Sequence, residues 1–193
     1  MFNPAKRVDQ LGSGIFSRVD FMKQKAIKQG IEVINLSIGS PDGSPALHII
    51  EAIHRGLDNH SNYDYTLTHG TPKFREAVSK WYRDRFQVEL NPDNEVLPLM
   101  GSQEGLSHIF LAYLNSGDIA IIPDPGYPVY SAGLALAEGE LYPLPLLEEN
   151  NYLPKFEEVP QHICEKAKIM VLNYPNNPLA AVAELDFFKA AIE

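Results

Sequence analysis

The chain of 193 residues is poor in cysteine and has no long apolar run. Its one cysteine, Cys164, excludes a disulfide bond within the chain, and this fits a reducing compartment. The first ten residues lack the apolar segment of a signal peptide, and no stretch approaches the length of a membrane-spanning helix. We therefore expect a soluble, cytoplasmic protein that does not cross a membrane.

Dense clusters of basic residues are also absent. The sequence carries 16 Lys and Arg residues against 25 Asp and Glu residues, which gives a formal net charge of −9. Nucleic-acid affinity depends on basic side chains that neutralise phosphates. The charge pattern therefore argues against a nucleic-acid partner.

Several common active-site signatures are missing as well. The six histidines show no metal-ligand spacing with cysteine or acidic residues, so we predict no metal site. Ser102 has no His and Asp partners in the order that a serine hydrolase would need. Neither a Walker-type loop nor a GxGxxG sequence is present, so these nucleotide-binding signatures are excluded.

The sequence does have the composition of a globular protein, with 45% hydrophobic and 21% charged residues. Its apolar pattern predicts strands over residues 33–38, 96–100, 119–122, 141–144 and 169–172. Helices are predicted over 15–29, 102–114 and 129–137, and two more begin at Ser44-Pro45 and Thr71-Pro72. The alternation from residue 96 onward is typical of an α/β fold with a mostly parallel sheet flanked by helices.

The predicted helix over 102–114 begins directly after a glycine, in the sequence Gly101-Ser102-Gln103. Free N–H groups and the helix dipole make such an end an anion site, and glycine lets the backbone approach the anion closely. A phosphate could bind there. The alternative is an ordinary strand-to-helix turn with Ser102 as the N-cap.

Two further segments follow predicted strands. Tyr127, in Asp-Pro-Gly-Tyr-Pro, follows the strand over 119–122 and could stack on a flat heteroaromatic ring at the sheet edge where α/β proteins bind ligands. Asn177, between Pro175 and Pro178, could donate a hydrogen bond to a phenolate-like oxygen. The alternatives are a packed turn tyrosine and an asparagine that caps a turn.

The earlier part of the chain holds two weaker candidates. Tyr65 lies in a polar loop that ends at Gly70, and it could reach a phosphate. Gly39 could bring the backbone close to a substrate carboxylate. A surface tyrosine and a plain turn glycine are the alternatives.

Taken in order, these segments resemble the N-terminal half of a class I/II aminotransferase, a pyridoxal 5'-phosphate (PLP)-dependent transferase of fold type I. The resemblance rests on five segments: Leu36–Asp42, Tyr65–Ala77 with Gly70, Gly101–Glu104, Asp124–Pro128 and Asn173–Pro178. The sequence is most similar to LL-diaminopimelate, alanine and aromatic aminotransferases. The resemblance implies an N-terminal arm with part of the small domain over residues 1–44, and an incomplete large PLP-binding domain over residues 45–193.

The resemblance also implies roles for particular residues. Gly101 and the backbone groups of Ser102 and Gln103 would hold the cofactor phosphate, and Tyr127 would stack on the pyridine ring. Asn177 would hydrogen-bond the phenolic oxygen of the cofactor. Two roles lie elsewhere in the chain. Tyr65 would reach the phosphate of the partner subunit's cofactor, which implies a homodimer, and Gly39 would border the substrate carboxylate. The implied substrates are an amino acid and a 2-oxo acid.

The sequence departs from the family pattern in three ways. The family usually has Thr-Gly after the Asn-Pro pair, whereas Leu179-Ala180 stands here. A tyrosine often found near the N-terminus of diaminopimelate-specific members is replaced by Gly14-Ile15. No lysine lies in a motif that matches the Schiff-base lysine, so no catalytic residue is assigned and the chain alone is expected to be inactive.

Two alternative functions remain open at this stage. The chain could be a non-catalytic, truncated remnant with uncovered apolar helix faces and unpaired strand edges. It could also derive from a fold-type-I carbon–sulfur lyase, because the fold does not fix the reaction.

Overall fold

The computed structural model describes residues 3–11, 14–37, 39, 41–65 and 69–192. Its helices are α1 (Lys6–Asp9), α2 (Ile15–Lys28), α3 (Leu47–Leu57), α4 (Pro72–Phe86), α5 (Ser102–Tyr113), α6 (Pro128–Leu136), α7 (Gln161–Lys166) and α8 (Leu185–Ile192). Its strands are β1 (Ile119–Asp124), β2 (Glu140–Pro145) and β3 (Ala167–Met170). Short 3-10 turns cover His60–Tyr63, Glu148–Asn150 and Phe156–Glu158. One compact unit combines the described residues up to Lys25 with those from Gly101 onward, and the second unit is Ala26–Met100.

The first unit is built on a parallel three-stranded sheet with the order β2-β1-β3. Ile119 pairs with Glu140 of β2 and with Ala167 of β3, and the register with β3 shifts between Ile119 and Ala120. The α/β fold with a parallel sheet and flanking helices is therefore confirmed. Since all three strands run in the same direction, their carboxyl ends lie at one edge of the sheet.

The side chains of the central strand β1 alternate between the two faces of the sheet, and each face is covered by an apolar cluster. Ala120 and Ile122 point to a cluster with Phe110 of α5 and Leu134 of α6. Ile121 points to the opposite face, where it forms a second cluster with the buried residues Leu144 and Val159. The first cluster packs α5 and α6 against one face of the sheet, and the second covers the opposite face.

In the second unit, α4 confirms its predicted start. Thr71 is the N-cap, and its hydroxyl accepts a hydrogen bond from the Phe74 N–H at 3.4 Å. Pro72 occupies the first turn, where a missing N–H does no harm. The prediction for α3 was wrong, since the helix begins at Leu47 after Ala46 rather than at Ser44-Pro45. Ala46 keeps an extended ψ of 142°, so the helical turn cannot include the residues before it.

Two predicted strands are not formed within the described residues. Residues 33–37 and 96–100 have no strand assignment, although both segments are rich in apolar residues. A strand exists only when a neighbouring strand pairs with it, and the sheet of the described residues consists of β1, β2 and β3. Residue 38, the end of the first predicted strand, lies outside the described residues.

The helices expose much of their apolar surface. Neither α3 nor α4 contains a buried residue. In α5 only Phe110 is buried, and Tyr113, which lies three residues later and hence on the same side of the helix, is 69% exposed. An apolar helix face is buried only where another element covers it. No helix in the described part of the chain is long and apolar enough to span a membrane.

Candidate functional site

The N-terminus of α5 is an open backbone turn. Gly101 is the N-cap, with φ 88° and ψ 152°, and no side chain caps the helix. The alternative in which Ser102 caps the turn is therefore wrong, because Ser102 is already the first helical residue. A Cβ atom at Gly101 would meet no heavy atom within 4 Å, so the turn is open to an approaching group. The positive φ is the reason for glycine here.

This turn presents hydrogen-bond donors. The N–H groups in the first turn of an α-helix have no partner four residues before them in the helix. The helix dipole adds partial positive charge at the same place. The 12-residue length of α5 aligns enough peptide units for that effect. The donor set of Ser102 and Gln103 therefore fits an anionic group such as a phosphate.

Tyr127 lies beside this turn, at the carboxyl end of β1. Its hydroxyl donates a hydrogen bond to Oε1 of Gln103 at 3.1 Å, across 24 positions of sequence. Its ring meets Tyr130 edge to face, with centroids 5.8 Å apart and an interplanar angle of 82°. The structure thus brings together Gln103 and Tyr127, which were both predicted site residues. Gln103 joins the site through its side chain, a role that sequence reasoning missed.

The loop before Tyr127 requires glycine at one position. A Cβ at Gly126 would lie 2.4 Å from the carbonyl oxygen of Pro123, which is too close for any side chain. A cavity of about 270 Å³ opens beside this loop, lined in part by Asp124, Gly126, Tyr127 and Ser131. The cavity also reaches Leu141 and Pro143 of β2, so Tyr127 borders open space between its own loop and β2.

The neighbouring Tyr130 is a neutral packing partner. Burial raises the pKa of the Tyr130 phenol above its ordinary value of 10.0, and the nearby Tyr127 raises this pKa further. Tyr130 is buried in the cluster between α5, α6 and the sheet. It holds the Tyr127 ring by an aromatic edge contact without introducing charge.

The elbow, which we define as residues Asn173–Pro178, follows β3. The N–H of Asn177 donates to Oδ1 of Asn173 at 2.9 Å, and Asn177 itself is exposed. Asn176 is buried, with 5% of its surface exposed, although its side chain is polar. Its Nδ2 donates to the Asn173 carbonyl at 3.3 Å, and its Oδ1 accepts from the Leu179 N–H at 3.0 Å. Sequence reasoning singled out Asn177 and missed the roles of Asn173 and Asn176.

Parallel pairing places this elbow at the same sheet edge as the Tyr127 loop. β1 and β3 run in parallel, and the N–H of Val171 extends the pairing by donating to the Ile121 carbonyl at 2.9 Å. Both loops leave their strands at the carboxyl ends. In open α/β sheets this edge is where ligands bind.

The turn that follows the elbow carries backbone strain at one position. Ala180 has φ 58°, in the left-handed region that favours glycine. Its N–H donates to the Asn176 carbonyl at 2.8 Å, so the turn depends on this conformation. The resemblance places a family glycine at this residue.

Tyr65 and Gly39 lie in the second unit, whereas the α5 turn lies in the first. Tyr65 is 100% exposed. The loop end at Gly70 has φ 68°, and a Cβ there would lie 2.3 Å from Cγ of Pro98. Arg75 holds this end of the loop, because its Nη1 donates to the carbonyls of His69 (3.1 Å) and Gly70 (2.9 Å). Gly39 has open space where a Cβ would lie.

Comparison with known proteins gives consistent matches. The family described as Aminotransferase class I and II matches residues 31–193. An LL-diaminopimelate aminotransferase of Aquifex aeolicus is 44% identical over 193 residues, which is 100% of this chain and 50% of that protein. An LL-diaminopimelate aminotransferase of Dehalococcoides mccartyi is 44% identical over 98% of this chain and 49% of its own length. The chain spans about half the length of the curated relatives it matches.

Solved structures match the fold in the same way. Substrate-bound BacF from Bacillus subtilis superposes with a TM-score of 0.92 at 40% identity, over 100% of this chain and 49% of that protein. An alanine aminotransferase from Pyrococcus furiosus superposes with a TM-score of 0.86 at 26% identity, over 97% of this chain and 48% of that one. Both similarities again cover about half of the larger protein.

Proposed function

Since the chain belongs to the class I and II aminotransferase family, we propose that it supplies the cofactor-holding half of a PLP-dependent aminotransferase. Such an enzyme transfers an amino group from an amino acid to a 2-oxo acid. The observation that carries the proposal is the hydrogen bond between Tyr127 and Gln103. It joins the residue proposed to stack on the cofactor ring to the turn proposed to hold the cofactor phosphate.

The chemistry of the donor set fits PLP. The N–H groups of Ser102 and Gln103 bind the phosphate, and Gly101 leaves its approach open. Tyr127 orients the flat ring by stacking, and the contacts with Gln103 and Tyr130 keep the tyrosine in one position. Asn177 donates from Nδ2 to the phenolic oxygen of the ring.

When bound, PLP supplies an electron sink for the amino-acid substrate. The residues of this chain bind and orient it. A hydrogen bond from Asn177 Nδ2 favours the deprotonated form of the phenolic oxygen, because the amide can donate to a negative oxygen. The lysine that forms the Schiff base, the aspartate at the pyridine nitrogen and the arginine for the substrate carboxylate are expected in the half of the relatives that this chain does not span.

The remaining assignments are further parts of the proposal. Tyr65 reaches the phosphate held by a partner subunit in a homodimer, and Gly39 borders the substrate carboxylate. The exposure of Tyr65 and the open space at Gly39 support these roles. The domain division at residue 44 and a cytoplasmic location stay predictions. LL-diaminopimelate is the first amino donor to test, because it is named in the relatives at 44% identity.

A hybrid protein tests the activity. The 193-residue chain is joined to the remaining half of the Aquifex aeolicus relative, and the product is incubated with PLP, one amino donor and a 2-oxo acid acceptor. We expect formation of the 2-oxo acid from LL-diaminopimelate, alanine or aspartate. The proposal fails if a folded, PLP-loaded hybrid gives no product with any of these donors.

Two controls separate the alternatives. A hybrid that releases a thiol and ammonia from a cystathionine-like substrate, without amino transfer, would indicate a carbon–sulfur lyase. Sedimentation of the hybrid should give a dimer, and a strictly monomeric active hybrid would contradict the role of Tyr65 between subunits.

A further inference from the structure

The geometry of the elbow points to Asn173 and Asn176 as positioning residues that set the direction of Asn177. We propose that these two amides hold the backbone of Asn177 so that its side chain is presented at the sheet edge. This inference rests on the proposed function, since it gives the presented side chain a cofactor to meet.

Asn173 contributes through two different acceptors. Its side-chain Oδ1 accepts the N–H of Asn177 at 2.9 Å, and its main-chain carbonyl accepts Nδ2 of Asn176 at 3.3 Å. The first bond fixes the peptide that leads into Asn177. This contact therefore holds the backbone of Asn177 on its N-terminal side.

Asn176 closes the turn from the inside. Its buried side chain uses both the donor and the acceptor of its amide, toward Asn173 and Leu179. Its main chain bonds as well, with N–H to the Ala181 carbonyl and carbonyl to the Ala180 N–H, each at 2.8 Å. An amide is needed here because a carboxylate cannot donate and an apolar side chain can do neither. Asn176 therefore holds the turn that follows Asn177.

The base of the elbow is anchored by aromatic packing. The Tyr174 hydroxyl donates to the Tyr152 carbonyl at 2.9 Å. Its ring meets the rings of Phe187 and Phe188 of α8 at 5.1 and 6.2 Å between centroids. Tyr174 therefore anchors the elbow to α8 and to the loop that contains Tyr152.

Hydrogen exchange on the whole 193-residue chain tests the contact without any ligand. The amide of Asn177 should exchange about tenfold faster in Asn173→Ala, the factor expected for the loss of one hydrogen bond. Asn173→Asp keeps an oxygen at the same place and should retain the slow exchange. Equal exchange rates in all three proteins would overturn the proposal. Asn94→Ala, at an exposed loop asparagine of the second unit, is the matched control and should leave the Asn177 amide unchanged.

A double-mutant cycle with PLP as the probe separates positioning from general support of the fold. Asn173→Ala should weaken PLP binding severalfold in the native chain and have no further effect when Asn177 is alanine. Asn173→Asp should restore the affinity. An effect of Asn173→Ala that is equally large in the Asn177→Ala background would overturn the positioning role.

The two experiments also distinguish the two proposals. If the native chain does not bind PLP while the exchange results hold, the proposed function is weakened and the contact geometry stands. If PLP binds but Asn173→Ala changes neither exchange nor affinity, the positioning role is refuted and the proposed function stands. Asn176→Asp keeps the oxygen that accepts from Leu179 but loses the N–H that donates to Asn173. It should speed exchange of the Asn177 amide less than Asn173→Ala does, because Asn173 accepts directly from that amide. A larger effect of Asn176→Asp would contradict this direct role of Asn173.

Discussion

The left-handed conformation of Ala180 leads to a specific prediction about stability. The residue has φ 58°, and its N–H closes the turn onto the Asn176 carbonyl. Replacing it by glycine removes the clash between Cβ and the backbone while keeping the hydrogen bond. We therefore expect Ala180→Gly to stabilise the chain, although most substitutions to glycine destabilise a protein.

The magnitude follows from two opposing effects. Relief of a left-handed alanine is worth about 1–2 kcal/mol. The greater freedom of glycine in the unfolded chain offsets about 0.4–1 kcal/mol of that gain. The net gain in the free energy of unfolding is about 0.5–1 kcal/mol. Ala181→Gly is the matched control, because Ala181 is not among the residues with positive φ, and it should lose about 0.5–1 kcal/mol.

Urea unfolding, followed by circular dichroism, measures the difference between the two variants. The expected separation is roughly 1–2 kcal/mol, or about 0.5–1 M in the midpoint for a slope of about 2 kcal/mol per M. The direct comparison removes errors common to both proteins. If Ala180→Gly is as destabilising as Ala181→Gly, the left-handed conformation of Ala180 is refuted.

Three further predictions concern the same unit. Gly126→Ala should lower the free energy of unfolding by about 2 kcal/mol, because the added Cβ meets a carbonyl oxygen at 2.4 Å; a midpoint unchanged in urea would contradict the crowding. Gln103→Leu should weaken PLP binding about fivefold through loss of the Tyr127 contact, as read by equilibrium dialysis, and unchanged affinity would deny that contact a role. The backbone hydrogen bond from Asn115 lowers the pKa of Asp118 below 3.8, so its stabilising effect is present above that pH and is lost as pH falls through the lower folded value. The midpoint difference between the native chain and Asp118→Asn should therefore shrink in acid, and a difference that grows there would contradict this sign.

Local sequence signals were enough to predict the parallel sheet and most helices. Thr71-Pro72 marks the start of α4 because capping and proline geometry depend on neighbouring residues alone. The burial of β1 follows from its continuous apolar run, which is typical of a parallel strand that is covered on both faces. The signals for these elements lie within a few consecutive residues.

Features that depend on distant partners were predicted less well. Residues 96–100 have a strand pattern, but a pattern does not provide the neighbouring strand that pairing needs. Tyr113 shares an apolar face with Phe110, yet burial requires a covering element and Tyr113 stays exposed. The same limit applies to the site. The motifs pointed to Tyr127 and Asn177, whereas the Gln103 contact and the Asn173–Asn176 network depend on how loops meet in space.

The most direct test of the central claim is an equilibrium titration of the chain with PLP and, in parallel, with pyridoxal, which lacks the phosphate. The account predicts saturable one-to-one binding of PLP, much weaker binding of pyridoxal, and loss of PLP affinity in Tyr127→Ala. Borohydride reduction followed by intact mass should leave no lysine-linked adduct. Equal binding of PLP and pyridoxal, or no saturable binding of PLP, would contradict a phosphate site at the α5 turn, and a stoichiometric adduct on one lysine would contradict the expectation that the Schiff-base lysine lies elsewhere.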